Sequence, residues 1–504
     1  VEHDPAVMLA ADRVIDMGPG PGERGGRIVF DGSVDALRHA DTLTGQYLGA
    51  RKSVGMGFKR LVAASTPRLI LEGAREHNLK NLTVEFPLQR LVTVTGVSGS
   101  GKSTLIQDVL APALMRHFGK ATEAPGAHDR LLGADFLSDA VFVDQSPIGK
   151  TARSNPASYV GAWDGIRDIF AAAPLSTERG YGAAKFSFNS GDGRCPTCGG
   201  SGFEHVEMQF LSDVYLRCPD CNGQRYRPEV LEVRIERGGR LLNVADVLEL
   251  TVSEAAQLFT HDAEVKRALA PIVDVGLEYV RLGQPVPTLS GGEAQRLKLA
   301  GFLAEAARSR AKSQQALARK GQLFLFDEPT TGLHFDDIAK LMRALRKLLD
   351  AGHSLIVIEH NLDVIRASDW VIDLGPNGGE GGGELVAFGP PEELRQHPTS
   401  YTAQALREYE ETLGVGVPVA REFSPLPPLG EGRDGGLGAS RETGGRFSAA
   451  GPHPNPGAGG GTPPLFRLSG SAQAEPEPQP SAPKGEGERA AANAIQIINA
   501  REHN

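Results

Sequence analysis

The stretch "RLVTVTGVSGSGKST" (residues 90–104) joins an apolar run to a glycine-rich turn. The run 90–96 is rich in β-branched residues and predicts a buried strand, and a helical pattern starts at Lys102. Between a strand and a helix, the pattern G-x-x-x-x-G-K-[S/T] indicates a loop whose backbone N–H groups surround phosphate. Lys102 would then reach the β- and γ-phosphates, and the Ser103 hydroxyl would bind Mg²⁺. The predicted phosphate-binding residues are Gly96, Gly99, Ser100, Gly101, Lys102, Ser103 and Thr104.

A second apolar run, "LFLFDEP" (323–329), ends in two carboxylates. Such a run would deliver Asp327 and Glu328 to the carboxyl end of a strand, where ligands bind in parallel sheets. We expect Asp327 to hold Mg²⁺, directly or through water, and Glu328 to orient and activate an attacking water. Many apolar strands that end in Asp-Glu are only structural, but the phosphate loop upstream favours the functional interpretation.

Two more apolar runs, "DAVFVDQ" (139–145) and "HSLIVIEH" (353–360), predict further buried strands. The segment 336–352 is amphipathic and predicts a helix that stops at Gly352. Apolar strands that alternate with helices predict an α/β fold with a mostly parallel sheet and flanking helices. Between residues 148 and 285 the composition changes to cysteines, glycines and short alternating runs such as "VLEVRIER" (230–237), which predicts an inserted domain.

The inserted region contains every cysteine of the chain, in the pattern C-x₂-C-x₁₉-C-x₂-C. Two pairs with this spacing predict a structural Zn²⁺ site with four thiolate ligands and no open position. The alternative is four free thiols. A chaperone module of the DnaJ type is weaker still, because "CPTCGGSG" supplies at most one and a half of its four repeats. The predicted zinc ligands are Cys195, Cys198, Cys218 and Cys221.

The composition limits the remaining classes. The chain has 504 residues and a net charge of −9, so any nucleic-acid contact must be a local site. It contains no apolar run long enough to span a membrane, and its first residues lack a basic signal region, which favours a cytoplasmic protein without a membrane partner.

The chain opens with "VEHDPAVMLAADRVIDMGPG" (1–20), which aligns without a gap with the segment that begins at Ile358. Such a match indicates an internal repeat, in which His3 corresponds to His360. Near the other end, 425–492 is rich in Pro and Gly and predicts a flexible linker. After it, "AIQIINAREHN" (494–504) resembles "RLILEGAREHN" (68–78). We expect both ends to be cuts within a longer or fused chain.

The segment "LSGGEAQRLKLA" (289–300) is a second glycine-rich helix start and resembles the signature sequence of ABC ATPases. In that superfamily the signature of one lobe closes over ATP held by the phosphate loop of another, so the resemblance implies a second lobe, in cis or in trans. It also implies that Gln145 forms the Q-loop, that Asp336 belongs to the D-loop and that His360 contacts the γ-phosphate. The signature residues expected to contact ATP of the other lobe are Ser290, Gly291, Gly292 and Glu293.

A cysteine-bearing insert between the phosphate loop and the signature is similar to the UvrA family of bacterial nucleotide-excision repair. The similarity extends from Val1 to about Gly389 and includes "AREHNLKNL" (74–82), "DQSPIGKTARSNPASY" (144–159), "FSFN" (186–189) and "FDEPTTGLH" (326–334). It implies an ATPase without nuclease chemistry of its own that dimerises, binds duplex DNA at lesions and loads a UvrB-type subunit. It also implies DNA contacts in the insert, although acidic residues are as frequent there and each cation could equally be a solvated surface charge. The candidate DNA contacts are Lys150, Arg153, Lys185, Arg194, Arg217 and Arg225.

The predicted fold is therefore an ABC-type ATPase lobe with an inserted zinc domain and a disordered C-terminal linker. A transporter-type ATPase shares the nucleotide motifs but has a short helical subdomain in place of the insert, and an ATP-binding clamp without turnover would not need Glu328 and His360. The expected organisation is 1–50, remnant of a first lobe; 51–66, linker; 67–147, phosphate-loop part; 148–285, insert; 286–405, signature and switch part; 406–492, disordered linker; 493–504, start of a further lobe.

Overall fold

The structure is a computed structural model that describes residues 1–20, 22, 25–55, 57–146, 148, 153–206, 214–312 and 320–412. All of these residues belong to one unit, Val1–Arg421. Lys150, most of the predicted C-terminal linker and the second "AREHN" segment lie outside the described residues.

The strands of the described residues are named in chain order. They are β1 Val14–Gly18, β2 Arg27–Gly32, β3 Arg68–Ala74, β4 Leu82–Pro87, β5 Leu91–Gly96, β6 Arg130–Leu132, β7 Asp139–Val143, β8 Phe203–Val206, β9 Val214–Arg217, β10 Ile235–Arg237, β11 Arg240–Leu242, β12 Gln322–Asp327, β13 Ser354–Ile358, β14 Trp370–Gly375 and β15 Glu384–Gly389.

The α-helices are named in the same way, and the segment Thr104–Leu110, just after the phosphate loop, is π-helical. The α-helices are α1 Pro5–Leu9, α2 Val34–His39, α3 Leu43–Leu48, α4 Ala111–His117, α5 Pro156–Tyr159, α6 Ala162–Ala171, α7 Pro174–Arg179, α8 Pro228–Leu231, α9 Val244–Glu249, α10 Val252–Leu258, α11 Ala263–Asp274, α12 Gly291–Lys312, α13 Phe335–Asp350, α14 Leu362–Ala367, α15 Pro391–Leu394 and α16 Tyr401–Thr412.

The central sheet has six strands in the order β15-β14-β5-β13-β12-β7. All neighbours from β14 to β7 are parallel, and β15 is antiparallel at one edge. Every residue of β5, β13 and β14 is buried, because helices or a second sheet cover both faces, and this explains why these strands are apolar without alternation. The predicted mostly parallel sheet is confirmed, and its parallel strands end at one common edge.

Helix α13 covers one face of this sheet. Its apolar residues recur at helical spacing, so that one stripe is buried; each large aliphatic side chain in it contributes about 2 kcal/mol through burial. The helix begins after His334, whose Nδ1 accepts a hydrogen bond from the Asp336 N–H at 3.2 Å. It ends at Asp350, shortly before Gly352, whose φ of 91° favours glycine. The predicted helix over 336–352 is confirmed.

The predicted insert leaves the part of the chain that forms the central sheet and returns to it at adjacent points. The Val286 N–H donates to the Ser154 carbonyl at 2.9 Å, and the Ala157 N–H donates to the Leu282 carbonyl at 3.3 Å. Between these points lie seven helices of the described residues, α5–α11, and the hairpins β8–β9 and β10–β11. The alternating run 230–237 is only partly a strand, because α8 takes up its first residues before β10 begins.

The N-terminal segment has the same element order as the end of the second lobe: α1, β1, β2, α2 and α3 correspond to α14, β14, β15, α15 and α16. The correspondence extends to side chains, since Thr44 donates to Asp16 as Thr402 donates to Asp373, both at 2.9 Å. Tyr47 of α3 stacks on Phe335 at the start of α13, with ring centroids 5.3 Å apart. This segment therefore packs on the start of α13.

One boundary differs from the expectation. Helix α16 continues to Thr412, so the start of the predicted disordered linker is ordered. Helix α12 runs to Lys312, and residues 313–319 after it lie outside the described ranges. Among the described residues, no helix combines the length and the apolar character that a membrane span requires.

Candidate nucleotide site and cysteine centre

The phosphate loop connects β5 to the helical segment that begins at Lys102. Gly96, Gly99 and Gly101 all have positive φ angles, and a Cβ at Gly96 would lie 1.9 Å from the Leu374 carbonyl oxygen, so only glycine fits there. Lys102 is buried, and its Nζ donates to the carbonyls of Gly96 and Val97 at 3.0 and 2.9 Å. Its burial lowers the pKa of Lys102, while Glu328 and Asp373 oppose that effect. A cation held at the loop in this way is ready to meet phosphate oxygens.

The backbone of the phosphate loop is held by residues from two distant segments. Asn78 donates through Nδ2 to the carbonyls of Gly99 and Gly379, both at 3.0 Å. The Gly379 N–H also donates to the Gly99 carbonyl at 3.0 Å, and the Gly383 N–H donates to the Ser100 carbonyl at 3.1 Å. The segment "AREHN" thus supports the phosphate loop, a role that its sequence alone did not indicate.

Asp327 and Glu328 follow β12 at the same edge of the sheet as the phosphate loop. Asp327 accepts a hydrogen bond from Gln107 Nε2 at 2.8 Å, and burial, with a smaller effect of Glu328, raises the pKa of the Asp327 carboxyl. Glu328 has a φ of 40°, in the left-handed region that non-glycine residues rarely adopt. Such strain often occurs at functional positions, and the Glu328 side chain lies beside His360, which follows β13.

His360 faces Glu328 across this edge, with 3.5 Å between His360 Nε2 and Glu328 Oε1. Burial lowers the pKa of His360, the Lys102 charge lowers it further and Glu328 opposes both. His3 of the N-terminal repeat lines the same cleft as Glu328 and His360. The structure therefore brings Lys102, Glu328, His360 and His3 to one region.

Glu359 is a buried carboxylate that the sequence analysis missed. Its Oε1 accepts from the N–H and the hydroxyl of Thr330, and its Oε2 accepts from the N–H groups of His360 and Asn361 at 2.7 and 2.9 Å. Four donors on one carboxylate fasten the loop after β12 to the loop after β13. The sequence offers one signal for Glu359, which is its position as a charged residue directly after the apolar strand β13.

The signature segment forms the start of α12. Ser290 and Glu293 make a capping box: the Ser290 N–H donates to Glu293 Oε2 at 2.9 Å, and the Glu293 N–H donates to Ser290 Oγ at 3.3 Å. Tyr279 donates to the other oxygen of Glu293 at 2.6 Å. Ser290 and Gly291 are exposed, and a Cβ at Gly292 would meet open space. A second molecule or lobe can reach this helix start, while the Glu293 carboxylate is already engaged.

Helix α12 is also fastened to the central sheet. Gln295 is buried and donates through Nε2 to the carbonyls of Val143 and Asp327, both at 3.1 Å. Gln145 is exposed at the end of β7, and a Cβ at Gly291 would lie 3.4 Å from its Oε1. The signature start, Gln145 and the Asp327 strand are therefore neighbours within one lobe.

Asp336 lies in the first turn of α13 and pairs with Lys52 of the N-terminal segment at 2.6 Å. Burial acts to raise the pKa of Asp336, but the hydrogen bond and charge of Lys52 outweigh burial and lower it. The residue predicted for the D-loop thus contacts the N-terminal segment.

The four cysteines lie together in the insert, flanking the hairpin β8–β9. Their Sγ atoms all lie within 4.8 Å of one another, and those of Cys198 and Cys221 are 3.7 Å apart. Four ligands about 2.3 Å from a tetrahedral Zn²⁺ would be about 3.8 Å apart, so the donor set and its spacing fit this ion. Burial raises the pKa of the Cys221 thiol to about 12. The Gly202 N–H donates to Cys198 Sγ at 3.3 Å, as expected for a thiolate ligand.

The candidate DNA contacts among the described residues fall into three groups. Arg153 and Arg217 are exposed near the cysteine centre. Lys185 is paired with Asp192 at 2.9 Å, and Arg194 donates to three carbonyls of its own loop. Arg225 is only 2% exposed, so a phosphate cannot reach its guanidinium, and we remove it from the candidate DNA contacts.

Comparison with known proteins identifies relatives of most of the chain. No family model matches. UvrABC system protein A of Mycobacterium bovis is 51% identical over 409 residues, which are 81% of this chain and 40% of that protein. The corresponding protein of Thermus thermophilus is 49% identical over 418 residues, 82% of this chain and 42% of that protein. This chain thus spans less than half the length of these curated relatives.

A solved structure agrees with these sequence matches. The crystal structure of UvrA2 from Deinococcus radiodurans has a TM-score of 0.70 and 46% sequence identity, over 81% of this chain and 47% of that one. Sequence identity and fold therefore lead to the same conclusion: the chain belongs to the UvrA family.

Proposed function

We propose that this chain is the ATP-hydrolysing part of a DNA-damage recognition subunit in nucleotide-excision repair. The single observation that carries the ATPase assignment is the meeting of Lys102, Glu328 and His360 at one edge of the parallel sheet. The geometry of the site supports ATP hydrolysis independently of the family membership.

In the proposed reaction, the Glu328 carboxylate takes a proton from water while the water oxygen bonds to the γ-phosphorus. The bond from that phosphorus to the ADP oxygen breaks, and Lys102 and His360 stabilise the charge on the phosphoryl oxygens. Mg²⁺, held by Ser103 and Asp327, would neutralise phosphate charge during this step. Burial lowers the pKa of Lys102, while Glu328 and Asp373 oppose that effect and favour its charged form.

We further propose that a second ATPase lobe, in cis or in trans, completes the site. The exposed Ser290 and Gly291 and the open space at Gly292 support this, because a helix start that presents N–H groups is suited to phosphate and is accessible from outside. In this arrangement Ser290 and the glycines contact ATP. Glu293 acts by capping the helix.

The DNA-binding part of the proposal rests on the insert. Arg153 and Arg217 are exposed beside the cysteine centre and would contact the phosphate backbone, which suits recognition of distorted duplex DNA without sequence preference. The cysteine centre would hold one structural Zn²⁺. A UvrB-type subunit is the expected protein partner, and the cytoplasm is the expected location.

Phosphate release, measured for the wild type and for Glu328→Gln with and without duplex DNA, tests the assignment. We expect the variant to lose at least about 100-fold in rate. Glu123→Gln makes the same chemical change at an exposed loop residue and should leave the rate unchanged. Equal rates for wild type and Glu328→Gln would refute the catalytic role of Glu328.

A further inference from the structure

Arg225 is a buried cation four residues after the last cysteine of the insert. Its guanidinium lies 5.4 Å from the Phe188 ring and 5.9 Å from the Phe203 ring. Gly202 packs against the stem, since a Cβ there would lie 2.9 Å from Arg225 Cγ. Burial this complete requires compensation, because an isolated charge costs several kcal/mol in a low-dielectric interior.

The polar contacts of the guanidinium do not supply this compensation. Its Nη2 donates to the Gly283 carbonyl at 2.6 Å, and its Nη1 makes no hydrogen bond within the described part of the chain. No carboxylate of the described residues lies within ion-pair distance of it. Within the described ranges, the guanidinium therefore has one neutral carbonyl as its hydrogen-bond partner, which does not balance its charge.

The cysteine centre lies on the other side of this side chain. The groups that interact electrostatically with Arg225 are Tyr226, Cys198, Glu249 and Cys221. The backbone supports the same arrangement: the Arg225 N–H donates a hydrogen bond to Cys221, and the Cys195 N–H donates to the Arg225 carbonyl at 2.9 Å. A Zn²⁺ ion bound by four thiolates has a net charge of about −2, so the centre is an anion that needs a nearby cation.

We infer that Arg225 is the buried countercharge of the four-thiolate centre and connects that centre to the segment that leads into the signature helix. This inference rests on the zinc site proposed above. The connection runs from the guanidinium to the Gly283 carbonyl, and from Gly283 through the turn Val286–Thr288 to Ser290 at the start of α12. Loss of the metal would leave a buried cation without its countercharge and would loosen residues 283–290.

Zinc affinity tests the countercharge. The full chain is purified, its zinc content is measured, and Zn²⁺ is then titrated against a chromophoric chelator. Arg225→Gln should weaken zinc binding by about 10- to 100-fold, as is typical when a group supporting the metal ligands is lost. Arg225→Lys keeps the charge and should bind zinc within a few-fold of the wild type. Arg227→Gln is a matched control, because it removes the same charge from an exposed arginine in the same loop. It should leave the zinc affinity unchanged.

The outcomes separate the two proposals. A wild-type protein that binds no zinc refutes the proposed zinc site itself. A wild type that binds zinc, with an Arg225→Gln variant of equal affinity, overturns the countercharge and leaves the zinc site standing. If Arg225→Gln does not fold, as judged by circular dichroism, the Arg225→Lys variant decides. A loss of zinc affinity in Arg225→Lys that is at least tenfold larger than the loss in Arg227→Gln overturns the inference.

Hydrogen exchange tests the connection. Removal of zinc from the wild type should raise amide exchange in a peptide covering 283–290, while a peptide covering β14 stays unchanged. In zinc-loaded Arg225→Lys, the shorter side chain cannot keep both the position near the sulfurs and the bond to Gly283, so 283–290 should exchange faster than in the wild type. Exchange that is the same with and without zinc in the wild type would overturn the connection.

Discussion

The Nε2 atom of His360 lies 3.5 Å from Oε1 of Glu328. The histidine expected to contact phosphate is therefore adjacent to the glutamate expected to activate water. Lys102 is close enough to lower the pKa of the same histidine. Protonation of His360 would therefore gain the attraction of Glu328 but suffer burial and the repulsion of Lys102. The balance favours the neutral imidazole, and this has a consequence for the effect of pH.

His360 should make the protein less stable in mild acid. Its pKa is lowered in the folded protein from an ordinary value of 6.5, mainly by burial, so the unfolded chain binds the proton more tightly. The free energy of unfolding is therefore not reduced by His360 above a pH of about 6.5. It falls as the pH drops from there toward the pKa of His360 in the folded protein. Urea unfolding of wild type and His360→Gln at pH 7.5 and 5.5 should show a smaller acid loss for the variant. Equal losses would contradict a lowered pKa of His360 in the folded protein.

Glu359→Gln should destabilise the lobe although the two side chains have nearly the same shape. The amide NH₂ would replace an oxygen that accepts two hydrogen bonds, so N–H groups of Thr330 or of His360 and Asn361 would lose their acceptor. We expect a loss of about 2–3 kcal/mol in the free energy of unfolding, measured in urea. Glu2→Gln is the matched control, because Glu2 is the corresponding residue of the N-terminal repeat and is exposed. Similar effects of both substitutions would show that burial of Glu359 is not the cause.

Asn78→Ala should weaken nucleotide binding without touching a phosphate-binding residue. The substitution removes both hydrogen bonds by which Asn78 holds the loop glycines Gly99 and Gly379 in place. A less ordered loop loses about 1–2 kcal/mol of binding free energy, or about tenfold in the Kd of a fluorescent ATP analogue. Asn81→Gly, at an exposed turn with a φ of 54°, should leave the Kd unchanged. An unchanged Kd for Asn78→Ala would mean that the loop keeps its shape without this side chain.

The sequence predicted those parts of the site that local patterns determine. The strand before Gly96, the strand before Asp327 and the spacing of the cysteines each depend on residues within one short segment. Arg225, Glu359 and Asn78 could not be assigned in this way, because their partners Gly283, Thr330 and Gly379 are far away in the chain. Arg225 was placed among the DNA contacts since a buried and an exposed arginine look the same in a sequence.

Zinc binding should weaken as the pH falls. Without a metal, burial raises the pKa of the Cys221 thiol to about 12, so binding of Zn²⁺ must release protons, and a higher proton concentration opposes it. We expect about one Zn²⁺ per chain at pH 8, an affinity lower at pH 6 in chelator competition, and less than one ion per chain for Cys218→Ser. An affinity that does not change between these pH values would contradict a thiolate centre.

The two exposed arginines of the insert should determine its affinity for DNA. Removal of one phosphate contact weakens binding to every duplex sequence and reduces the slope of log K against log salt by about 1. The double variant Arg153→Gln/Arg217→Gln should therefore bind duplex DNA more weakly and with a slope smaller by about 2. Lys185→Gln is the comparison, because Lys185 is already paired with Asp192 and its side chain is only 15% exposed, so its removal should change the slope little. An unchanged slope for the double variant, or a larger effect of Lys185→Gln, would place the DNA contacts on another surface of the chain.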